Sequence, residues 1–431
     1  MKKVLIISPY FPPSNTADIQ RVRMSLPYFR DFGWEAEVVT IDPRHSDMIK
    51  DPLLSLSINT DIKVHYVSAF SKSLTSKLGL GSIALRSLWF YRKKVDEILK
   101  LQPFDLIYFS TTQFPVCILG AYWKKKFKVP YVIDMQDPWH STYYLDKPKN
   151  ERPPKYWFSY RLNKTLEPVA MKHVDGILSV SGAYIDQLKS RYKPVNFIPC
   201  KVLTFGYFEK DFEIAHEKSA EINLPLHLDP TKINLVYIGR GGLDMAPAFR
   251  LLFNAFKELL TFNSDSQRIR FYFLGTSYAP KGRGIETIKP LADDIGLGDF
   301  VYEVTDRITF YETIKTLQHA DGLVIPGSKD AGYTASKVYP YILAKKPLLG
   351  IFQKSSSAYS IISENQAGLV ADLNDERQAN SVIKEYFQKL LDKDTSVTTQ
   401  WKSFESYSAK NMTKEQCDFF ETVLARTSKR P

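Results

Sequence analysis

Four stretches of the chain hold residues whose types and spacing suit a ligand rich in phosphate and hydroxyl groups. The first is Arg240 flanked by Gly239, Gly241 and Gly242, between an apolar run and an amphipathic segment. Glycines let the backbone approach an anion closely, a following helix aims free N–H groups at it, and arginine adds a fixed charge. The same residues also fit a tight turn with a solvated arginine. The second is the loop from Pro326 to Lys337, whose end carries Thr334, Ser336 and Lys337 at a helix start. Two hydroxyls, an ammonium and backbone N–H groups make a second cradle for phosphate or sugar hydroxyls. Ordinary capping of the helix by Thr334 or Ser336 is the other reading. The third is Asp134-Met135-Gln136-Asp137-Pro138-Trp139-His140. Here Trp139 can stack on a sugar face, and Asp137 or His140 can accept hydroxyl hydrogen bonds or move protons. The fourth is the loop Ser8–Arg23, where Pro12 and Pro13 stiffen the chain and Asn15 and Arg21 stand near a helix start.

The elements that must position these loops alternate. Val4–Ser8, Glu37–Ile41, Lys63–Val67, Asp105–Ser110, Pro130–Asp134, Asp175–Val180 and Asn196–Pro199 read as short buried strands with helices between most of them. Ser71–Leu101 reads as one long basic, amphipathic helical region, either a core helix with a solvated face or a segment lying on an anionic membrane. Residues 206–230 are polar and proline-bearing and read as a linker. The alternation restarts at Ile233–Ile238 and continues through Arg270–Leu274, Val301–Val304, Gly322–Ile325, Pro347–Ile351 and Gly368–Ala371. The fold class expected is α/β: two tandem doubly wound, Rossmann-like domains (1–205 and 231–395) facing across a cleft. Residues 396–431 are expected as helices crossing back to the first domain.

Bulk properties agree with two domains. The chain has 431 residues, 44% of them hydrophobic and 13% aromatic, with a net charge of +11. The basic excess favours an anionic partner, but no arginine-rich arm or nucleic-acid signature is present, so nucleic acid is not expected. Cys117, Cys200 and Cys417 are far apart, without metal-ligand spacing, which fits a reduced, cytoplasmic protein. The start MKKVLIISPYFPPS reads as a first strand and not a signal peptide, because Pro9 ends its short apolar run. No run is long enough to span a bilayer. There is no G-x-x-x-x-G-K-[ST] loop, no G-x-G-x-x-G after the first strand and no G-x-S-x-G elbow. The D-x-D at Asp392-Lys393-Asp394 reads as surface, so no metal is expected.

With the loops placed, the chain resembles a GT-B glycosyltransferase of the group 1, family 4-like kind over nearly its whole length. KVLIISPYFPPS…RVRMSLPYFRDFGWEAEVVT looks like the family's first β-α-β, and PYVIDMQDPW like its D-x-R-D-P-W segment with Gln136 in place of arginine. FIPCKVLTFGYFEKDF looks like the inter-domain segment, and LVYIGRGG…LLFNAFKEL like the first β-α of the nucleotide-sugar domain. DRITFYETIKTLQHADGLVIPG and YTASKVYPYILAKKPLLGIF resemble the base-proximal and donor-binding segments. The resemblance implies that Arg240 meets the diphosphate, with Gly239, Gly241 and Gly242 around it. It puts Arg307 and Ile308 by the base. Tyr333, Thr334, Ser336 and Lys337 would hold the sugar and diphosphate. The acceptor would lie near Asp137, with Asn15, Arg21, Trp139 and His140 on its side. Asp137, Arg240 and Lys337 are the residues expected to carry catalysis.

The sequence departs from the family at three places. Met245 stands where a lysine follows the arginine, and Gly332 and Pro340 stand where the two glutamates of E-x7-E fall. Gly-Gly is also missing from the first loop. The implied function is transfer of a sugar from a nucleotide diphosphate sugar to a lipid-linked or polysaccharide acceptor in surface glycan assembly. Anomeric retention, no metal and no cofactor beyond the nucleotide sugar as co-substrate are implied with it. The location expected is cytoplasmic, peripheral on the inner face of the membrane. A nucleotide-sugar epimerase and a catalytically silent binding or scaffold protein of the same architecture are the rival readings.

Overall fold

The structure is a computed structural model and describes residues 1–142, 145, 149, 152, 156–329 and 336–428. The chain divides into two compact units, Met1–Phe205 with Ala409–Pro431, and Gly206–Ser408.

Unit 1 is built on seven parallel strands: β1 (Lys2–Ile7), β2 (Trp34–Ile41), β3 (Lys63–Val67), β4 (Leu106–Ser110), β5 (Tyr131–Met135), β6 (Gly176–Ser179) and β7 (Cys200–Val202). Their order is β3-β2-β1-β4-β5-β6-β7. Val4 pairs with Ala36 on one side and Leu106 on the other, so β1 is central and needs apolar side chains on both faces. The order reverses between β1 and β4, where such sheets open a crevice at the strand ends.

One helix of this unit comes from far along the chain. Ala409–Thr427 sets Phe420 against Trp34, Tyr108 and Phe29, with ring centroids 5.4, 5.1 and 6.5 Å apart. A Cβ on Gly176 would meet Val423 Cγ2 at 2.6 Å, so glycine there lets the helix lie close on β6. Lys201–Glu415 and Lys410–Asp31 pairs rim the contact at 3.1 and 3.3 Å; being exposed, they add little beside the buried rings.

Unit 2 has six parallel strands: β8 (Ile233–Ile238), β9 (Ile269–Leu274), β10 (Val301–Val304), β11 (Gly322–Pro326), β12 (Leu348–Phe352) and β13 (Leu369–Asp372), in the order β10-β9-β8-β11-β12-β13. Helix Ala246–Phe262 buries Phe249, Leu252, Phe253 and Phe256 against Phe271 and Phe273. Thr309 and Glu312 form a reciprocal capping box that starts helix Phe310–His319.

Two stretches differ from the sequence expectation. Residues 206–230 are not plain linker. They hold helix Glu209–Glu217, whose Asp211 accepts from Tyr311 at 3.2 Å, while Lys315 Nζ donates to the Ser219 and Ile222 carbonyls at 2.6 and 2.7 Å. These bonds reach across the sequence, and local polarity does not reveal them. The basic stretch Ser71–Leu101 is broken: Lys72–Thr75 ends in a turn at Gly79, with φ +76°, and the long helix begins only at Ile83. A left-handed glycine stops a helix whatever the apolar spacing around it.

Candidate functional site

In unit 2 the reversal in strand order falls between β8 and β11, and the two loops singled out by sequence follow these strands. Gly239 sits at φ +152°, and a Cβ there would overlap Lys337 Nζ. A Cβ on Gly241 would press on Ile288 Cδ1 at 2.8 Å, and one on Gly242 on Arg240 Nη1 at 2.6 Å. Gly239 is therefore favoured by conformation and by packing, and Gly241 by packing alone. Thr287 Oγ1 and Gly241 N tie the turn to the loop after β9, through the Gly241 and Thr276 carbonyls.

The two cations of this site are held differently. Arg240 forms a two-pronged pair with Asp244, Nη1 to Oδ1 at 2.8 Å and Nη2 to Oδ2 at 2.7 Å. Ser328 Oγ also donates to Asp244, and Lys329 N donates to the Asp244 carbonyl at 3.1 Å, which joins the β8 and β11 loops. The guanidinium and Ser328 hold the Asp244 carboxyl below the usual carboxylate range against the opposing effect of burial. Lys337 keeps part of its stem at the surface, but its ammonium is enclosed. Nζ donates to Tyr237 Oη at 3.0 Å and the Ile238 carbonyl at 3.3 Å, and lies 4.5 Å from the Tyr237 ring centroid. No carboxylate is among these partners. Burial pushes Lys337 down to about 7, with the charge of Arg240 adding. The site thus pairs an arginine already matched by an aspartate with a lysine that titrates near neutral pH.

In unit 1 two carboxylates anchor the crevice. Asp18 is buried and accepts from Thr16 Oγ1 at 2.7 Å and from Thr111 Oγ1, Thr112 N and Thr112 Oγ1, each at 3.1 Å. It binds the loop after β1 to the loop after β4. Asp134 is fully buried and accepts at Oδ2 from Arg21 Nε (2.7 Å), Ser110 (3.0 Å), Gln136 (3.0 Å) and Tyr108 (3.1 Å). Arg21 spends its other nitrogens on the Leu203 and Thr204 carbonyls at 2.6 and 3.1 Å. Arg21 therefore ties β5 to the end of β7 from within the protein, and its donors are turned inward.

Asp137 and Trp139 line a cavity of about 540 Å³ together with Ser82, Leu85, Phe114, Phe158, Leu162 and Asn163. Trp139 stacks on Phe114 at 5.5 Å and donates to Asn163 Oδ1 at 3.2 Å. Water reaches the Asp137 side chain, yet protein atoms surround most of its carboxyl. Burial pushes it up to about 6, and the like charge of Asp18 adds to this. The cavity offers aromatic and aliphatic walls with one carboxylate, two amides (Gln113 and Asn163) and several hydroxyls, a combination suited to a sugar ring or an amphiphile.

His140 does not line this cavity. It is buried with Nδ1 2.7 Å from Arg191, which also pairs with Glu167 at 2.9 Å, while Tyr192 donates to Glu167 at 2.6 Å. Burial lowers the pKa of His140, with Arg191 and Lys164 adding. Asn15 donates its backbone N–H to the Ile49 carbonyl at 2.8 Å. Arg307 is exposed over the Tyr278 ring at 5.6 Å, and Ile308 is half-buried beside it, at the end of β10. Ser336 is exposed just before helix Val338–Leu343; Tyr333 and Thr334 lie outside the described residues.

Met245, where the resemblance led to the expectation of a lysine, is fully buried in the core of unit 2. Asp244, Tyr237, Ser328 and Asp18 were missed from sequence. For Asp244 the signal was its spacing, four residues after Arg240. Among the described residues no group of three or more His, Cys, Asp or Glu could hold a metal ion, and no helix is long and apolar enough to cross a membrane.

No family model and no curated protein sequence matches the chain. Solved structures do match in shape. The trehalose-6-phosphate phosphatase N-terminal domain of Candida albicans is 12% identical, with 98% of this chain and 97% of that chain covered and a TM-score of 0.62. The Anabaena protein HepE, solved in complex with UDP, is 13% identical, with 98% and 100% covered and a TM-score of 0.58. WaaG, a glycosyltransferase involved in lipopolysaccharide biosynthesis, is 14% identical, with 97% and 99% covered and a TM-score of 0.54. With its parallel sheets of seven and six strands, one in each unit, the chain has the two-domain fold of the GT-B glycosyltransferases.

Proposed function

We propose that the chain transfers a sugar from a nucleotide diphosphate sugar to a hydroxyl of a glycan or lipid-linked acceptor, retaining the anomeric configuration and needing no metal. The observation that carries this reading is the convergence of Gly239–Gly242, Arg240 and Lys337 at the switch point of a GT-B sheet. In the reaction the bond from the sugar C1 to the diphosphate oxygen breaks, and the electron pair leaves with the nucleoside diphosphate. The acceptor oxygen bonds to C1, and its proton passes to the departing phosphate oxygen or to solvent. Charge develops on the diphosphate, which is where Lys337 and Arg240 act. Asp137, mainly ionised at neutral pH despite its raised pKa, accepts a hydrogen bond from an acceptor hydroxyl. The work is done at the inner face of a membrane, on a surface-glycan acceptor.

The test is calorimetry of the full chain against a panel of nucleoside diphosphates and their sugars. Binding of one base is expected, weakened about tenfold (about 1.4 kcal/mol) or more in both Lys337→Ala and Arg240→Ala. No binding across the panel, or equal affinity in both variants, would overturn the reading.

A further inference from the structure

The two helices that flank the unit 1 cavity share a pattern on their outer faces. Helix Ile83–Leu101 lines the cavity with Leu85, and one turn on it exposes Trp89, 55% accessible, with Lys93 Nζ 5.7 Å from the ring centroid. Helix Tyr156–Met171 lines it with Phe158 and Leu162, and beside these exposes Trp157, 63% accessible, with the Arg161 guanidinium 5.6 Å from its ring. Each is a tryptophan followed four residues later by a cation, on a helix whose neighbouring residues form the cavity wall. The segment joining the cavity to Trp89 adds Phe70, Leu74 and Leu80, which are 50%, 67% and 39% accessible. Phe70 packs on Phe90 at 4.9 Å and on Trp89 at 6.5 Å, so these rings form one exposed cluster.

The charge here has one sign. From Ile62 to Val95 the sequence has no Asp or Glu, but Lys63, Lys72, Lys77, Arg86, Arg92, Lys93 and Lys94. From Tyr156 to Leu166 it again has no acid, but Arg161 and Lys164. Some of these cations are engaged. Arg86 is buried on the Phe70 and His45 carbonyls, Lys72 pairs with Asp47 and Lys63 with Glu37. Lys77, Lys93, Arg161 and Lys164 are exposed. Tryptophan is amphipathic and settles at the level of lipid headgroups, where lysine and arginine meet phosphate. A soluble partner of ordinary composition has no need of so one-sided a charge, whereas a bilayer with acidic lipids does.

We infer that the face carrying Trp89, Lys93, Trp157 and Arg161 docks on a bilayer containing anionic phospholipid, at the flank of the Asp137 cavity. This deepens the membrane part of the function proposed above and is independent of the donor chemistry. An amphiphilic acceptor held in that bilayer reaches the apolar walls of the cavity along Leu85 and Phe158 without crossing water.

The experiment is co-sedimentation of the full chain, without nucleotide, with vesicles of phosphatidylcholine alone or with one third phosphatidylglycerol. Binding is expected to the acidic vesicles about tenfold above the neutral ones, falling as salt is raised. A double variant, Trp89→Ala with Trp157→Ala, is expected to lose about tenfold or more of it. A charge-reversal variant, Lys93→Glu with Arg161→Glu, should do the same. It leaves the Trp89 ring cluster intact, so it keeps the test decisive if the first variant folds poorly. Trp401→Ala, in unit 2, is expected to bind as the parent does. Equal binding to both vesicle types, no vesicle binding, or unchanged binding in both double variants overturns the inference. A glycan polymer that binds this face while acidic vesicles do not would overturn it in favour of a different occupant. Donor binding, measured separately by calorimetry, reports on the proposed transfer whichever way the vesicles come out.

Discussion

Lys337 and Arg240 are accommodated at the anion site in opposite ways. Arg240 keeps its charge and borrows a carboxylate, Asp244, four residues on. Lys337, offered only a phenol and a carbonyl, gives up part of its charge and falls to about 7. A bound diphosphate restores the proton, so its pKa is higher in the complex than in the free chain. Binding therefore takes up a proton between about 7 and the value in the complex. Affinity is full below that lower value and falls as pH rises above it, by at most about tenfold per unit. Calorimetry with a nucleotide sugar, whose diphosphate does not itself titrate there, should show this slope in the parent. In Lys337→Arg the slope should vanish, because arginine stays charged. A parent whose affinity is flat from pH 6.5 to 8.5 would remove Lys337 from the diphosphate.

Sequence disclosed the charges at this scale but not their pairing. Arg240 was legible because glycines surround it after an apolar strand. Its partner was not, since Asp244 looked like one more polar residue before a helix. The same holds for Arg21. Near a helix start it reads as a ligand arginine, and only the fold brings Asp134 to it from 113 residues away. That pair also bears on Gln136, which stands where the family that the sequence resembles has arginine. Arg21 already matches the Asp134 charge, and the Gln136 amide adds a neutral donor at 3.0 Å where a second guanidinium would be surplus.

At the scale of elements, the turn after β8 is the least replaceable part of unit 2. Gly239→Ala is expected to cost about 1–3 kcal/mol in folding free energy, from backbone strain at φ +152° and from displacing Lys337. It should also abolish the pH slope, because the ammonium is driven from its pocket. Chemical denaturation and calorimetry would read the two effects separately, and a variant as stable as the parent would contradict the packing seen here. Strands were legible as elements because buried parallel strands are nearly continuous apolar runs, as β1, β4, β8 and β11 are. The break in Ser71–Leu101 was less so, since hydrophobic spacing continues across Gly79 although the helix does not.

At the scale of the whole molecule, unit 1 is assembled from two distant pieces of sequence. The aromatic cluster of Phe29, Trp34 and Tyr108 is closed by Phe420, which is 0% exposed. Phe420→Ala is expected to destabilise unit 1 by about 3–5 kcal/mol and to leave unit 2 nearly unaffected. Two-step thermal unfolding, with only one step shifted, would show it; an unshifted trace would mean that the helix contributes little. Residues 396–431 read as helices from sequence, while their destination rested on family resemblance, because an amphipathic stripe does not name the surface it covers.

The placement of this helix has a consequence for how the chain is made. Helix Ala409–Thr427 leaves the ribosome after every residue of unit 2. During that interval the first seven strands can pair, but the face that Phe420 and Val423 cover stays open. Unit 2, continuous in sequence, can close first, so the half translated earlier is the half completed later. A nascent chain stalled anywhere before Ala409 would carry an aromatic face without its cover, open to holdase chaperones and to other copies of itself.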